Sequence, residues 1–330
     1  MGVFLGMLAY MAAGVGVFLY GMHLISGYLE ELAGTAMERG LRRLTGNPWT
    51  GALTGTVITT LVQSSTAVTV MTVNLVDQGM MSLHQAVGVI LGANVGTAST
   101  GVLAALPIRS MAPLFLIGGA ALVLAAGMAE TMQSHMQQER KSRRELSDRV
   151  KLAGALLMGL GMLLLGMELM QEAMTPYRSS PLLMQMLRGM ENPLAGVLGG
   201  AAFTAIIQSS SASVAILQSM AAEGMVGLQQ SAYIVYGQNI GTCVTALWAS
   251  VRLSPAARSC AWLHLLINLL GTVFFMVIDI FLPITVWIAS WTPKSPALQI
   301  ANLHLFFNLG STILLLPFSR LLVGAVERKK

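Results

Sequence analysis

Long stretches of this chain carry almost no charged side chains. Met1 to Tyr28 contains no Asp, Glu, Lys or Arg, and Leu152 to Met174 contains only two glutamates. A helix of about 20 residues crosses the hydrocarbon core of a bilayer, where lipid offers no partner for an unpaired backbone group. These stretches predict an all-α polytopic membrane protein whose spans lie at 1–27, 82–106, 111–129, 152–174, 227–250, 256–280 and 297–322.

Composition and charge agree with a membrane protein and exclude other classes. The chain is 55% hydrophobic and 10% charged, and the first apolar segment lacks the basic start of a signal peptide, so we expect it to be retained. The formal net charge of +5 comes mainly from Arg140 to Lys151 and from Arg328, Lys329 and Lys330. Basic clusters of this kind anchor loops in the cytosol, so we expect the lipid bilayer, and no nucleic acid, as a partner.

The sequence contains two copies of one unit, offset by 145 residues. Segments 47–67 and 79–100 align without a gap with 192–212 and 224–245, with 19 identities in 43 positions. Chance would give about a tenth in so biased a composition. Upstream, Gly14, Gly16 and Gly21 recur as Gly159, Gly161 and Gly166. The duplication predicts two structural repeats that begin with the first helix of each half.

A shorter likeness joins two apolar segments of the second half. His264 and Asn268 correspond to His304 and Asn308. The spacing of four residues places each His and Asn on one helix face. Hydrogen bonding to a neighbouring helix is the favoured interpretation, and a role in proton or substrate handling is the alternative.

Two stretches, 47–76 and 192–222, are polar at their centres and decide the predicted topology. As one straight helix, 30 residues would extend about 45 Å, too far for a core of about 30 Å. If each stretch folds back as a re-entrant hairpin, four crossings separate the two basic clusters. Both clusters then lie in the cytosol, as the positive-inside rule requires.

Three crossings in the first unit place the second unit upside down in the membrane. We therefore predict two inverted-topology repeats, each with a re-entrant helical hairpin. The predicted division is a first repeat at 1–129, a cytosolic charged linker at 130–151, a second repeat at 152–280, and a C-terminal transmembrane helix with a basic tail at 281–330.

The hairpin centres carry hydroxyl and amide groups that a lipid-facing segment could not hold. A helix that begins at such a break offers free N–H donors and a positive dipole end to an anion. Exposed carbonyl and hydroxyl oxygens can coordinate a small hard cation. Because neither hairpin contains a basic residue, sodium would supply the counter-charge for a tetrahedral oxyanion.

The predicted site combines these centres with an asparagine from the Gly-x-Asn-x-Gly-Thr segment that follows each hairpin. The predicted substrate-binding residues are Gln63, Ser64, Ser65, Thr66, Gln208, Ser209, Ser210, Ser211, Asn94 and Asn239. The predicted sodium ligands are hydroxyls, those of Ser65, Thr66, Thr69, Thr97, Ser210, Ser211, Ser213 and Thr242. Helix packing alone is the alternative role for such small residues, and their repetition at matched positions argues against it.

Paired QSS motifs, each followed by Gly-x-Asn-x-Gly-Thr, resemble the sodium/phosphate cotransporter family of bacteria and animals over nearly the whole chain. The QSSS signature of the family is intact from Gln208 to Ser211. It becomes QSST from Gln63 to Thr66, which keeps the hydroxyl. The resemblance implies a secondary active transporter for sodium-coupled uptake of inorganic phosphate, working by alternating access at a midplane site.

The resemblance also implies a sodium ion as the coupling ion and a multi-pass location in the plasma membrane, the inner membrane of a bacterium. Many bacterial members continue into a soluble helical domain similar to a phosphate-signalling regulator, whereas this sequence stops at Lys330. Association into homo-oligomers stays open.

Three other functions are weighed against this interpretation. Arsenate or another small oxyanion would suit the same groups. A channel would also use rings of hydroxyls and carbonyls, but two inverted hairpins in one chain suit alternating access better. An intramembrane enzyme is disfavoured because no HExxH, GxSxG or carboxylate pair lies inside a segment, so we expect no enzymatic activity.

Overall fold

The computed structural model describes residues 2–133 and 140–327, is 87% helical and has no β-strand among these residues. The α-helices are α1 Gly2–Arg43, α2 Pro48–Val62, α3 Ser65–Asp77, α4 Leu83–Ala105, α5 Ala112–Gln133, α6 Arg140–Met174, α7 Pro181–Gly189, α8 Pro193–Ile207, α9 Ser210–Ala222, α10 Leu228–Gly241, α11 Cys243–Ser250, α12 Pro255–Phe281, α13 Ile284–Trp291, α14 Pro296–Leu315 and α15 Ser319–Val326. The predicted all-α class is confirmed. Part of the predicted linker, 134–139, and the tail residues 328–330 lie outside the described residues.

Long apolar helices confirm a multi-pass membrane protein. Six helical segments of the described residues are long and apolar enough to cross a bilayer, namely Gly6–Leu29, Leu83–Ala105, Arg109–Thr131, Leu146–Tyr177, Pro255–Phe281 and Pro296–Val326. The predicted span at 227–250 is divided in the structure, because α10 ends at Gly241 and α11 begins at Cys243.

One compact unit comprises Met1–Ala33 and Leu106–Ala173, and contains most of α1 with α5 and α6. Glycines bring the backbones of α1 and α6 together: a Cβ added at Gly14 would lie 3.1 Å from the carbonyl oxygen of Gly166. A Cβ added at Gly21 would lie 2.6 Å from the carbonyl oxygen of Gly159. Later residues of α1 thus meet earlier residues of α6, so the two helices run antiparallel.

The other compact unit comprises Gly34–Ala105 and Met174–Lys330, and contains both polar-centred stretches. Its buried core joins α4, represented by Val89 and Ile90, to α12, represented by Leu263 and Ile267. Because lipid is as apolar as these side chains, van der Waals packing, and not removal from water, stabilises such contacts between membrane helices. These compact units follow packing rather than sequence order, and the boundaries predicted for the two repeats stay a prediction.

Helices α2 and α4 run parallel and in close contact. A Cβ at Gly88 would collide with the carbonyl of Pro48, and a Cβ at Gly96 would lie 2.8 Å from the carbonyl oxygen of Thr56. Residue numbers rise together along this contact, so the chain must return between the end of α2 and the start of α4. The 13 residues of α3 supply the return, over about 20 Å.

The second stretch folds in the same way. A Cβ at Gly237 would collide with the carbonyl of Val197, and one at Gly241 with the carbonyl of Ala201. Helix α10 therefore runs parallel to α8, and α9 makes the return. Gly237 and Gly241, which belong to the Gly-x-Asn-x-Gly-Thr segment, allow this close approach of helix backbones. Both polar-centred stretches are helical hairpins that turn at the QSS motif.

Candidate functional site

The two hairpin tips have the same backbone conformation. Gln63 ends α2 at φ 57° and ψ 22°, and Gln208 ends α8 at φ 56° and ψ 22°. The backbone N–H of each glutamine donates a 2.7 Å hydrogen bond to the carbonyl of the threonine four residues earlier, Thr59 or Thr204. Left-handed backbone at a residue other than glycine costs on the order of 1–3 kcal/mol and concentrates at functional sites. Its exact duplication in two repeats marks the tips as the candidate site.

The serine after each glutamine starts the returning helix. The Oγ of Ser64 accepts a 3.2 Å hydrogen bond from the N–H of Ala67, and the Oγ of Ser209 accepts one of 3.2 Å from Ala212. Such an N-cap satisfies one of the free donors of a helix start. The N–H groups of the next two residues have no acceptor inside the helix, so each tip keeps donors for an anion.

The remaining predicted tip residues lie at the beginnings of α3 and α9. Ser65 and Thr69 are buried, with 8% and 4% of their surface exposed, and Thr66 is partly buried. Ser210 and Ser211 are partly buried. Among the described residues no charged side chain belongs to either tip, so the site offers neutral donors and hydroxyl oxygens.

The side chain of Gln63 is held by α4. Its Oε1 accepts a 2.8 Å hydrogen bond from the hydroxyl of Thr100, and its Nε2 donates to the carbonyl of Thr60 at 2.5 Å and to the Oγ of Ser99 at 3.4 Å. Three partners fix this amide between α2 and α4. The first tip is therefore tied to the helix beside it.

The side chain of Gln208 is exposed and makes no hydrogen bond within the part of the chain that the structure describes. The residue equivalent to Ser99 is Val244, which offers no acceptor. The residue equivalent to Thr100 is Thr245, whose hydroxyl donates 3.0 Å to the carbonyl of Thr242 on its own helix. The two tips have the same backbone conformation but differ in the hydrogen bonds of their glutamine side chains.

The predicted asparagines meet at a third asparagine from α12. Asn94 donates through Nδ2 to the Oδ1 of Asn268 at 2.8 Å. Asn268 donates in turn to the carbonyl of Asn239 at 2.9 Å and to the Sγ of Cys243 at 3.1 Å. Asn94, Asn239 and Asn268 are at most 9% exposed. Asn268 thus links the Gly-x-Asn-x-Gly-Thr segments of the two repeats.

The predicted sodium ligands Thr97 and Thr242 each donate a hydroxyl proton to a carbonyl four residues earlier in the chain. The hydroxyl of Thr97 donates to the carbonyl of Ala93 at 2.8 Å, and that of Thr242 donates to the carbonyl of Gln238 at 2.9 Å. A hydroxyl that donates to its own helix keeps two lone pairs for another partner. Both threonines can therefore present oxygen to a cation.

Ser213 lies elsewhere, against a cavity of about 170 Å³ whose lining also includes Gln238. Its Oγ is buried and has no hydrogen-bond partner among the described residues, and the same is true of the Oε1 of Gln238. The Nε2 of Gln238 donates to the Ser213 carbonyl at 3.0 Å. Ser213 is equivalent to Val68, whereas Thr69 is equivalent to Val214. The two predicted ligands Thr69 and Ser213 therefore do not occupy matched positions.

Sequence reasoning missed several residues that the structure places beside the predicted ones. Ser99 and Thr100 hold Gln63, and Gln218 of α9 donates from Nε2 to the carbonyl of Gly101 on α4 at 2.9 Å. Gln218 and Gln238 could have been found, because a buried amide in an apolar helix requires partners. The Gln63 contacts could not, since they join residues 36 and 37 positions apart.

Each returning arm packs on the other repeat. Helix α9 contacts α4 and helix α3 contacts α11. Among the described residues no hydrogen bond joins one QSS tip directly to the other. The structure thus places both tips in one compact unit and links the repeats through α4, α9, α11 and α12.

Comparison with known proteins places the chain in a family. A sequence profile described as Na+/Pi-cotransporter matches residues 17–172 and 162–282. The uncharacterized protein YqeW of Bacillus subtilis is 29% identical over 307 residues, 92% of each chain. The putative inorganic phosphate export protein YjbB of Escherichia coli K12 is 26% identical over 312 residues, 94% of this chain and 53% of that protein. This chain spans about half the length of YjbB.

A shorter likeness extends to animals. The sodium-dependent phosphate transport protein 2A of Rattus norvegicus is 41% identical over 56 residues, 17% of this chain and 9% of that protein. No solved structure gives a significant match. Because the profile covers most of the chain in two overlapping matches, the chain belongs to the Na+/Pi-cotransporter family.

Proposed function

We propose that this protein is a secondary active transporter that couples the movement of inorganic phosphate to sodium. Its substrate site comprises the two QSS tips, with Asn94 and Asn239 beside them, and it works by alternating access in a bacterial inner membrane. The observation that carries the proposal is the duplicated tip, in which Gln63 and Gln208 share one left-handed conformation before a serine-capped helix start.

The chemistry of the tips suits a tetrahedral oxyanion. Two helix N-termini offer free N–H groups and positive dipole ends, and the adjacent hydroxyls add donors. Taking phosphate out of water costs several kcal/mol unless opposite charge accompanies it. With no basic side chain in either tip, sodium held by hydroxyl and carbonyl oxygens is the available counter-charge.

The packing of α1 on α6 supports inverted repeats. Gly14 and Gly21 of α1 are equivalent to Gly159 and Gly166 of α6. Gly14 faces Gly166 and Gly21 faces Gly159, so each glycine meets the counterpart of the other. Two equivalent helices that cross antiparallel in this way are related by a local two-fold axis. Inverted repeats around a central site are the usual architecture of secondary transporters.

Transport by purified protein tests the proposal. In proteoliposomes, labelled phosphate should accumulate saturably when a sodium gradient is imposed, and the accumulation should collapse when an ionophore dissipates that gradient. A potassium or proton gradient of the same size is the matched control. Equal accumulation with potassium would reject sodium coupling, and flux that never saturates would favour a channel. Competition by arsenate or sulfate measures selectivity among oxyanions.

The direction of transport has a second candidate. The Escherichia coli relative bears the name of a phosphate export protein, which favours efflux. We propose uptake, because a sodium gradient directed inward drives coupled phosphate inward. Proteoliposomes loaded with phosphate distinguish the two: efflux that external sodium stimulates would favour export.

A further inference from the structure

Helices α12 and α14 share a sequence pattern and make matching hydrogen bonds with the two repeats. From His264 to Thr272, five of nine residues recur 40 positions later, between His304 and Thr312. The hydroxyl of Thr272 donates to the carbonyl of Tyr236 on α10 at 3.2 Å. The hydroxyl of Thr312 donates to the carbonyl of Leu91 on α4 at 3.3 Å.

Leu91 and Tyr236 are equivalent positions of the two repeats. The contact of α14 with α4 therefore matches the contact of α12 with α10. It follows that the contact of α12 with α4 has a counterpart in the contact of α14 with α10. All four helix pairs are in contact. The contact of α4 with α12 can therefore be compared residue by residue with the contact of α10 with α14.

The asparagines break the match. On one side, Asn94 of α4 and Asn268 of α12 share a 2.8 Å hydrogen bond. On the other side, Asn239 of α10 donates to Val235 O at 2.9 Å, and Asn308 of α14 donates to His304 O at 2.9 Å. Asn239 and Asn308 thus each bond the carbonyl four residues earlier on their own helix and do not bond each other. One asparagine pair is closed and its counterpart is open.

Both arrangements satisfy a buried donor. Asn268 and Asn308 are 3% and 2% exposed, so neither amide can rely on water. A bond across to another helix and a bond back to the same helix replace each other at similar free energy, a net of about 0.5–1.5 kcal/mol per hydrogen bond. A hydrogen bond of similar free energy is therefore within reach of each asparagine both across to another helix and back to its own.

The hairpin tips also differ, because in the part of the chain that the structure describes the glutamine side chain is hydrogen-bonded at the first tip and unbonded at the second. Gln63, on the side of the closed pair, is held by Thr100, whereas the side chain of Gln208, on the side of the open pair, is exposed and makes no hydrogen bond among the described residues. The repeats thus differ together at the tips and at the asparagines. The glutamine, the threonine and the asparagine are the same residue types in both repeats, whereas Ser99 is replaced by Val244 and Cys243 by Ala98.

We propose that Asn268 and Asn308 are a pair of positioning residues that exchange roles during transport, an inference that rests on the proposed alternating-access function. In the structure, Asn268 bridges to Asn94 and Asn239 while Asn308 bonds to its own helix. In the opposite state, Asn308 accepts from Asn239 and donates to the Asn94 carbonyl. Asn268 then returns to the carbonyl of His264.

In the observed state, Cys243 is an additional hydrogen-bond partner of Asn268. Its Sγ lies 3.1 Å from the Nδ2 of Asn268, and the equivalent residue of the first repeat is Ala98, which has no acceptor in its side chain. A thiol is a weak acceptor. The exchange is therefore slightly biased toward the bridging of Asn268.

The test follows access to the first tip. A reporter Thr66→Cys leaves the contacts of Gln63 with Thr100 and Ser99 in place. In a background with Cys243→Ser and Cys260→Ala, it is reacted with a small water-soluble thiol reagent in the full chain without phosphate. Asn268→Leu removes the closed pair and should speed the reaction about fivefold, the effect of one net hydrogen bond. Asn308→Leu removes the opposite pair and should slow it by about the same factor. The double variant should return toward the parent rate.

The double variant separates exchange from structural damage. If both single variants change the rate in the same direction, or neither changes it, the exchange is wrong, because loosened packing acts on both states alike. Thermal unfolding of each variant checks that it is folded, and Asn268→Gln and Asn308→Gln provide a second, polar pair if the leucine variants do not fold. Opposite shifts in a protein that moves no phosphate would leave the exchange standing and reject the proposed substrate.

Discussion

The hydroxyl of Thr100 on α4 donates a 2.8 Å hydrogen bond to the Oε1 of Gln63 at the first hairpin tip. This contact joins the QSS motif to the helix that carries the Gly-x-Asn-x-Gly-Thr segment. The equivalent threonine, Thr245, bonds to its own helix, and the side chain of Gln208 makes no hydrogen bond in the part of the chain that the structure describes. The two hairpin tips therefore differ in how the glutamine side chain is held.

Replacement of Thr100 by valine should weaken phosphate binding. The Thr100→Val variant leaves the left-handed Gln63 with one partner fewer, at a cost of about 0.5–1.5 kcal/mol or roughly 2- to 12-fold in apparent affinity. The concentration dependence of uptake measures it. Thr245→Val is the matched control and should change affinity less, and an equal effect of both variants would contradict the role assigned to Thr100.

Cysteines at the two hairpin mouths should react from opposite sides of the membrane. Asn47 and Asn192 accept hydrogen bonds that cap α2 and α8, so the neighbouring exposed residues are better reporters. In a background without Cys243 and Cys260, Gly46→Cys should react from the cytosol and Glu191→Cys from outside. Labelling with an impermeant maleimide, compared between right-side-out and inside-out vesicles, measures from which side each cysteine reacts. Reaction from one and the same side would contradict the inverted topology.

Both tips should contribute to transport. Ser65→Ala and Ser210→Ala each remove a hydroxyl next to the free N–H groups of a helix start. If that hydroxyl contacts an ion or anion in a dry site, the loss is about 1–3 kcal/mol, or roughly 5- to 150-fold in apparent affinity for phosphate or sodium. Uptake kinetics at varied sodium and phosphate measure both. Ser290→Ala, at an exposed position, is the control. Unaltered kinetics in both tip variants would return these serines to helix packing.

Alanine at Gly92 should destabilise the protein. The added Cβ would collide with the carbonyl of Ala52, because α2 and α4 are in backbone contact. Overpacking of this kind costs about 1–3 kcal/mol. Gly127→Ala is the control: nothing lies within 4 Å of its Cβ, so the gain in helix propensity should leave stability unchanged or slightly higher. Thermal unfolding in detergent compares the two, and equal melting temperatures would contradict the close packing.

The sequence predicted the architecture well because its main signals are local or repeated. Apolar length identifies spanning helices without any knowledge of their neighbours. The hairpins predicted at 47–76 and 192–222 match α2 with α3 and α8 with α9 almost to the residue. Glycines of the Gly-x-Asn-x-Gly-Thr segments, such as Gly96 and Gly237, lie at the close contacts between helix backbones. The predicted span at 227–250 contains the boundary between α10 and α11 at Thr242, at the end of the Gly-x-Asn-x-Gly-Thr segment.

By itself, the sequence determined the helical class, the duplication, the places where the hairpins turn and the chemical groups at their tips, since each depends on residue type or spacing along the chain. Only the tertiary structure decided which side chains hold those tips. Thr100 reaches Gln63 while Thr245 does not reach Gln208, and Asn268 bonds Asn94 while Asn308 bonds its own helix. Thr100 and Thr245 are the same residue type, as are Asn268 and Asn308, so the choice depends on contacts between helices far apart in the chain, where hydrogen bonds of similar strength compete.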